Sequence, residues 1–301
     1  MNKLTKKYSM ALAALLILLY HCWINVFRYG SVLGNIERFI VTSSFVGVDI
    51  FFFVSAYSLS TRPPEDYVSF ILNRALKLMP LFIIAYALGT FLWFLPSLMI
   101  VYLIFPLVYN KCKQNPGISF MLLMLAWAVV TWLVLGVLKP EQDYGIFLFR
   151  IPVIILGAYA PYVSKSMLTT KKQRAVLGTL FLVFGTAVVY IWGYIERINV
   201  PFKGTFYLTC IPQLIGIMLL LGLIEKESKL INYFASMTLE LYFVQMVTGN
   251  WLINNVYKLS GSRILTNLIT LGVVILLSKA ISLIGETIND TPKKIATNER
   301  G

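Results

Sequence analysis

The stretch ILNRALKLMPLFIIAYALGTFLWFLPSLMIVYLIFPLVY (Ile71–Tyr109) decides how this chain is folded. It is apolar almost throughout and too long for one ordinary membrane crossing, so it holds either one long helix or two short ones. Charge on either side selects between them. Lys3, Lys6 and Lys7, the 60–77 segment with Arg62, Arg74 and Lys77, and the 164–174 loop with Lys165, Lys171, Lys172 and Arg174 all belong on the cytoplasmic side by the positive-inside rule. A single helix in 71–109 would send the 164–174 loop outside; two helices keep it inside with Lys111, Lys113, the Glu225–Lys229 loop, Lys293 and Lys294. The stretch therefore splits into 71–88 and 91–109, turning at Gly89-Thr90. Each arm of ~18 residues is ~27 Å long, enough to span.

The rest of the chain supports this class. It is 58% hydrophobic and only 13% charged, where a soluble domain carries about 25% charged residues. Further apolar runs place spans near 9–27, 39–59, 118–138, 145–163, 175–195, 205–224, 233–255 and 264–285. The runs are continuous rather than alternating, which excludes an outer-membrane barrel. The expected fold is an all-α membrane protein: a polytopic bundle of about ten transmembrane helices, both termini cytoplasmic. Residues 1–301 form one transmembrane domain with its core at 9–285, and 286–301 are a polar cytoplasmic tail expected to fray. The first span follows a basic start without a small-residue cleavage site, so it reads as retained.

A net charge of +13 raises nucleic acid as a partner, but the basic residues sit in short loops between apolar runs, a pattern of membrane topology. Cys22, Cys112 and Cys210 are widely spaced and form no metal or redox motif, and a single histidine argues against a zinc site. No phosphate-binding or dinucleotide glycine fingerprint is present. No permanently bound cofactor is expected.

That histidine, His21, lies late in the first apolar run, beside Tyr20, Cys22 and Trp23. An ionisable group in hydrocarbon faces a cavity or a partner, and imidazole suits proton transfer near neutral pH. His21 reads either as a general base reached from within the membrane or as a polar interfacial residue near a helix end.

Several segments together resemble the acyltransferase 3 family of bacterial integral-membrane acyltransferases. They are His21 late in the first span, Val46-Gly-Val-Asp49-Ile-Phe51-Phe52-Phe53-Val-Ser55-Ala56-Tyr57 in the second, and Arg74-Ala-Leu-Lys77 followed by Pro80. Further along come Leu92-Trp93-Phe94-Leu95-Pro96 with Tyr102 and Pro106, Arg150-Ile-Pro152 with Gly157, and Ser236 to Gln245 with Glu240 and Tyr242. The resemblance runs from about 10 to 285. The chain departs from the family pattern at Ala56, usually glycine, at Lys77, usually arginine, and at Gln245, often histidine. The segment between the third and fourth spans is also shorter than usual.

The resemblance implies an O-acyltransferase of the bacterial cytoplasmic (inner) membrane. It would carry an acyl group, most simply acetyl, from acetyl-CoA (acyl-CoA) as co-substrate to a hydroxyl of a cell-envelope polysaccharide such as an exopolysaccharide or O-antigen, or of a lipid-linked sugar precursor. The partners are then acyl-CoA, the glycan acceptor and the lipid bilayer, with no nucleic acid. Counted along the spans, His21 lies about 9 Å and Arg150 about 8 Å from the outer face, and Asp49 about 15 Å, so the three catalytic candidates are expected to share a polar cavity in the outer half of the membrane. Arg74 and Lys77, one helical turn apart, would hold the phosphates of the donor from the cytoplasmic face.

Each of these residues has a plainer reading. Arg74 and Lys77 are also ordinary topology anchors. Asp49 either orients His21, pairs with Arg150 or makes a structural contact. Arg150 neutralises a charge or snorkels outward. Glu240 hydrogen-bonds between helices by default, and Ser55, Tyr242 and Gln245 line a passage or pack. Trp93 and Phe94 fill the core or anchor an interface. If Gln245 replaces a functional histidine, an amide can hydrogen-bond but cannot relay a proton. A transporter or flippase of lipid-linked sugars shares many of these features, but paired repeats with matching helix breaks are not seen. A catalytically silent relative is the third reading, against which His21 and Arg74 both stand.

Overall fold

The computed structural model describes residues 1–90, 92–138, 145–167, 170–199 and 205–298, and within these it is helical without a strand. The side chains of Lys111, Cys112, Lys165, Lys293 and Lys294 lie outside the described residues. In chain order the helices are α1 (Lys3–Cys22), α2 (Val32–Ser43), α3 (Val46–Thr61), α4 (Tyr67–Ala87), α5 (Phe94–Gln114) and α6 (Pro116–Thr131). Then follow α7 (Gly145–Leu148), α8 (Ile151–Met167), α9 (Lys171–Asn199), α10 (Cys210–Leu221), α11 (Lys229–Ala235), α12 (Thr238–Ser260) and α13 (Arg263–Asn298). A π-helical segment, Trp132–Leu138, extends α6, and a 3₁₀ turn, Thr205–Thr209, leads into α10.

The deciding stretch forms two helices. Asp66 caps α4 by accepting the Ser69 amide, and the helix ends where Gly89 takes a φ of 77°, a left-handed conformation that a side chain would resist. The chain then turns back into α5, which packs against α4.

Among the described residues, six segments are long and apolar enough to cross a membrane: Val32–Thr61, Tyr67–Ala87, Pro116–Leu138, Gly145–Tyr162, Lys171–Trp192 and Arg263–Ile284. Helices α1 and α12 fall outside that set although both were expected spans. They pack against each other and against α3, α10, α11 and α13, and a helix enclosed by protein need not present an apolar face all round. By contrast α6 leaves Met121, Leu122 and Leu125 exposed, as a lipid-facing helix does.

Close crossings hold the bundle together where glycine permits them. A Cβ on Gly47 of α3 would stand 2.6 Å from the Ala13 carbonyl oxygen of α1, and one on Gly157 of α8 would stand 2.5 Å from that of Phe53. The buried Ala56 meets the same α3–α8 crossing, so alanine in place of the usual glycine is accommodated there. Gly185 and Gly216 do the same for α9 and α10.

Three expected spans differ in outline. The first helix ends at Cys22 rather than 27, because the backbone beyond it is captured by side chains from elsewhere. The second is broken: Ser43 and Ser44 turn their hydroxyls back onto the Ile40 carbonyl, Ser44 caps α2, and α3 begins afresh at Val46. The 145–163 span is interrupted at Phe149-Arg150, between α7 and α8. At the other end, α13 continues as helix to Asn298 where a frayed tail was expected, since propagation of an existing helix needs only one more backbone bond per residue.

Candidate functional site

One end of the bundle is basic. Arg74 and Lys77 project from the same side of α4 into a cavity of about 140 Å³ that is also lined by Met10 of α1, Phe51 and Ser55 of α3, Phe94 and Tyr102 of α5, and Leu239 and Tyr242 of α12. The Arg74 guanidinium lies over two aromatic rings, 5.2 Å from the centre of Phe70 and 5.6 Å from that of Tyr102, which fixes its direction without neutralising it. Residues from three separate helices, Ser55, Arg74 with Lys77, and Tyr242, thus meet in one space. Nothing in their spacing along the chain announces this.

A second centre is the ion pair between Asp49 and Arg150. Asp49 stands in the first turn of α3, not deep within a continuous span, and Arg150 stands immediately before α8. The close α3–α8 crossing brings the two together, Arg150 Nη1 donating to Asp49 Oδ1 at 2.7 Å with both residues buried. The guanidinium is boxed by Tyr207 at 4.4 Å and by Phe45 and Trp93 at 5.8 Å. So Arg150 neither snorkels nor meets His21. Asp49 Oδ2 and Arg150 Nε have no hydrogen-bond partner among the described residues, leaving polar capacity unused in a buried site.

His21 is the penultimate residue of α1, in its last turn, rather than several residues inside the helix. It is half-buried, and its ring meets Tyr20 edge-on at 4.9 Å. Among the described residues its nitrogens take no hydrogen bond. Of the three residues expected to share a cavity, the structure joins Asp49 to Arg150 and carries His21 at the end of α1. The helix breaks that the apolar pattern conceals put Asp49 and Arg150 into a sealed pair. A chain of ring contacts runs from His21 to that pair: His21 to Tyr20, Tyr20 to Phe45 at 6.4 Å, and Phe45 to Arg150.

The backbone that follows His21 is pinned. Glu37 of α2 accepts the Trp23 indole N–H at 2.9 Å and the amides of Val26 and Phe27 at 2.8 and 2.9 Å. Asn267 of α13 bonds both the amide and the carbonyl of Ile24, and Arg263 donates to the Asn25 carbonyl. These groups satisfy donors and acceptors that the end of α1 leaves free. Glu37 and Asn267 were missed in the sequence because each recognises backbone, which carries no motif.

Helix α12 links the two ends. Tyr242, Gln245 and Gly249 recur at helical spacing on one face. Tyr242 lines the Arg74 cavity, and Gly249 lies so close to α1 that a Cβ would stand 2.8 Å from Cys22 Sγ and 3.9 Å from the His21 carbonyl oxygen. Gln245 lies between them, 2% exposed, with neither its amide oxygen nor its nitrogen hydrogen-bonded among the described residues. Glu240, expected a third of the way along its span, is instead in the first turn of α12, where the helix dipole favours a carboxylate; it does not line the Arg74 cavity. Phe94 joins Phe51, Phe52 and Tyr242 in an aromatic cluster with ring separations of 5.0 to 5.8 Å, between the cavity and the interior.

A family model described as an acyltransferase domain matches the chain over residues 11–92 and 89–285. The two matched pieces overlap at the α4–α5 turn. Searches of curated proteins and of solved structures each returned no match.

Proposed function

Because the chain belongs to the acyltransferase 3 family, we propose that it moves an acyl group, in the simplest case acetyl, from cytosolic acyl-CoA to a hydroxyl of a cell-envelope polysaccharide or its lipid-linked precursor, with His21 as general base. It is a multi-pass membrane acyltransferase by family and by its apolar helices. The proposed placement is the bacterial cytoplasmic membrane, with residues 1–301 as one domain. In this reading the buried α1, α5, α10 and α12 cross alongside the six apolar segments, for ten crossings with both termini and the basic end in the cytoplasm.

The observation that carries this reading is the cavity that gathers Arg74, Lys77, Ser55 and Tyr242 at one end of α1 and α12, with His21 near the other. Met10 lines the cavity, and His21 lies eleven residues further along the same helix, about 16 Å away. Arg74 and Lys77 hold phosphates of the donor as charge-assisted partners. The narrow pantetheine arm then runs between α1 and α12, past Tyr242, and Gln245 supplies an amide for its polar groups. Ser55 borders the entrance.

At the far end His21 removes the proton of the acceptor hydroxyl as its oxygen attacks the thioester carbonyl carbon. The tetrahedral intermediate collapses, the carbon–sulfur bond breaks, and CoA leaves as thiolate, to be protonated by the imidazolium. Asp49 and Arg150 act here as positioning residues. Their pair fixes Phe45, whose ring meets Tyr20 beside His21. Mass spectrometry of surface glycans from cells with and without the protein tests the reading. An added acetyl ester, lost under mild base, is expected only where the protein is present; identical glycans in both would overturn it.

A further inference from the structure

Beside the Arg74 cavity lies a larger one, of about 620 Å³, that no catalytic role has yet used. Its walls carry four cationic side chains, Lys3, Lys6 and Lys7 from the first turns of α1 and Arg62 just beyond α3, with no acidic residue among its lining. Met10 separates it from the Arg74 cavity, lining both, and Lys6 stands one helical turn before Met10. Topology anchors at a membrane surface normally fan outward toward headgroups. Here all four line one concave space, with Lys3, Lys6 and Arg62 exposed at its rim.

Their charges are also poorly compensated. Lys7 reaches Glu227 at 3.2 Å, but Lys6 and Arg62 have no acidic partner among the described residues. Burial, then the repulsion of Arg74 and Arg62, pulls the Lys6 ammonium below its ordinary range. A cluster of like charges held together in a hollow is stabilised by an anion that enters it, and a compact group of phosphates is the anion that several separate cations suit best.

We propose that this cavity is a second anion site, taking the 3′-phosphate of the donor's nucleotide through Lys6 and Arg62 while Arg74 and Lys77 hold the diphosphate next door. The proposal rests on the reading of acyl-CoA as donor. It gives the N-terminal lysines a specificity role: they distinguish CoA from its 3′-dephospho form. The same chemistry would suit the phosphate of an anionic lipid, so the test separates the two.

The experiment is equilibrium binding of CoA and of 3′-dephospho-CoA to the purified full-length protein in neutral detergent, with phosphatidylglycerol binding followed in parallel. Wild-type protein is expected to prefer CoA by roughly tenfold, and Lys6→Ala and Arg62→Ala to abolish that preference while leaving dephospho-CoA binding unchanged. Lys6→Arg should retain the preference, and matching thermal unfolding of all variants guards against misfolding. If both alanine variants keep the full preference while Arg74→Ala loses CoA binding, the second site is wrong and the donor reading stands. If they lose phosphatidylglycerol and keep the CoA preference, the cavity is a lipid anchor and the proposal falls. If wild-type protein binds neither nucleotide, the donor reading itself falls and takes this one with it.

Discussion

Asn267 of α13 clasps Ile24 at two points: its side-chain oxygen accepts the Ile24 amide and its side-chain nitrogen donates to the Ile24 carbonyl, each at 2.8 Å. Asn267 is buried, and Ile24 lies three residues past His21, so this contact helps set where α1 stops and where the imidazole is carried.

Removing that clasp should therefore cost more than stability. Asn267→Ala leaves two backbone groups without partners, a loss of about 1–3 kcal/mol. Turnover should fall while KM for acyl-CoA stays near wild type, because the Arg74 cavity is at the other end of α1. Asn267→Asp, which keeps the acceptor, should lie between the two. A variant of lower thermal stability but unchanged kcat would reduce the clasp to a structural contact.

The Asp49–Arg150 pair makes a prediction of a different kind. Either single change, Asp49→Asn or Arg150→Met, strands a partner in a buried site and should destabilise the protein by about 3–5 kcal/mol. The double variant should be more stable than either single one, since no uncompensated charge remains. Thermal unfolding of the four proteins in one detergent provides the comparison. Additive losses would mean the pair is not coupled.

Gly249 offers a steric handle on His21. A methyl group there stands 2.8 Å from Cys22 Sγ, so Gly249→Ala must push the end of α1 aside, at about 1–3 kcal/mol. Acyl transfer should drop while CoA binding persists. Cys22→Ala in the same chain removes the obstructing sulfur and should restore part of the activity.

Donor binding should be governed by α4. Arg74→Ala should raise KM for acyl-CoA about tenfold or more, and added salt should narrow the gap by screening the wild-type contact. Lys77→Arg should bind the donor at least as tightly as wild type, because a guanidinium presents two parallel donors to a phosphate where an ammonium presents a point charge. Steady-state kinetics over a salt series reads both effects.

Much of the fold was legible because apolar run length and loop charge report on it directly. The division of 71–109 at Gly89 followed from charge alone, and the helices on either side of it are present. The helix breaks were not legible. Ser43-Ser44 and Phe149-Arg150 are brief polar dips inside long apolar runs, and the interruption at Ser43-Ser44 is marked by local hydrogen bonds that averaged hydropathy does not register. The break at Ser43-Ser44 puts Asp49 in the first turn of a helix rather than midway along one, and the break between α11 and α12 does the same for Glu240. Arg74, Lys77, Ser55 and Tyr242 were named individually from the family pattern, but only packing brings them to one cavity. Glu37 and Asn267 left no trace in the sequence, as a carboxylate or amide that binds backbone looks like any other polar residue.

The most direct measurement is transfer of a radiolabelled acetyl group from acetyl-CoA to a hydroxyl acceptor by purified protein reconstituted in lipid, comparing wild type with His21→Ala at equal abundance and equal CoA affinity. Wild type should form a base-labile labelled ester, and His21→Ala should form it at least 10²-fold more slowly, the loss expected for a missing general base. Ester formation by His21→Ala at the wild-type rate would contradict the account.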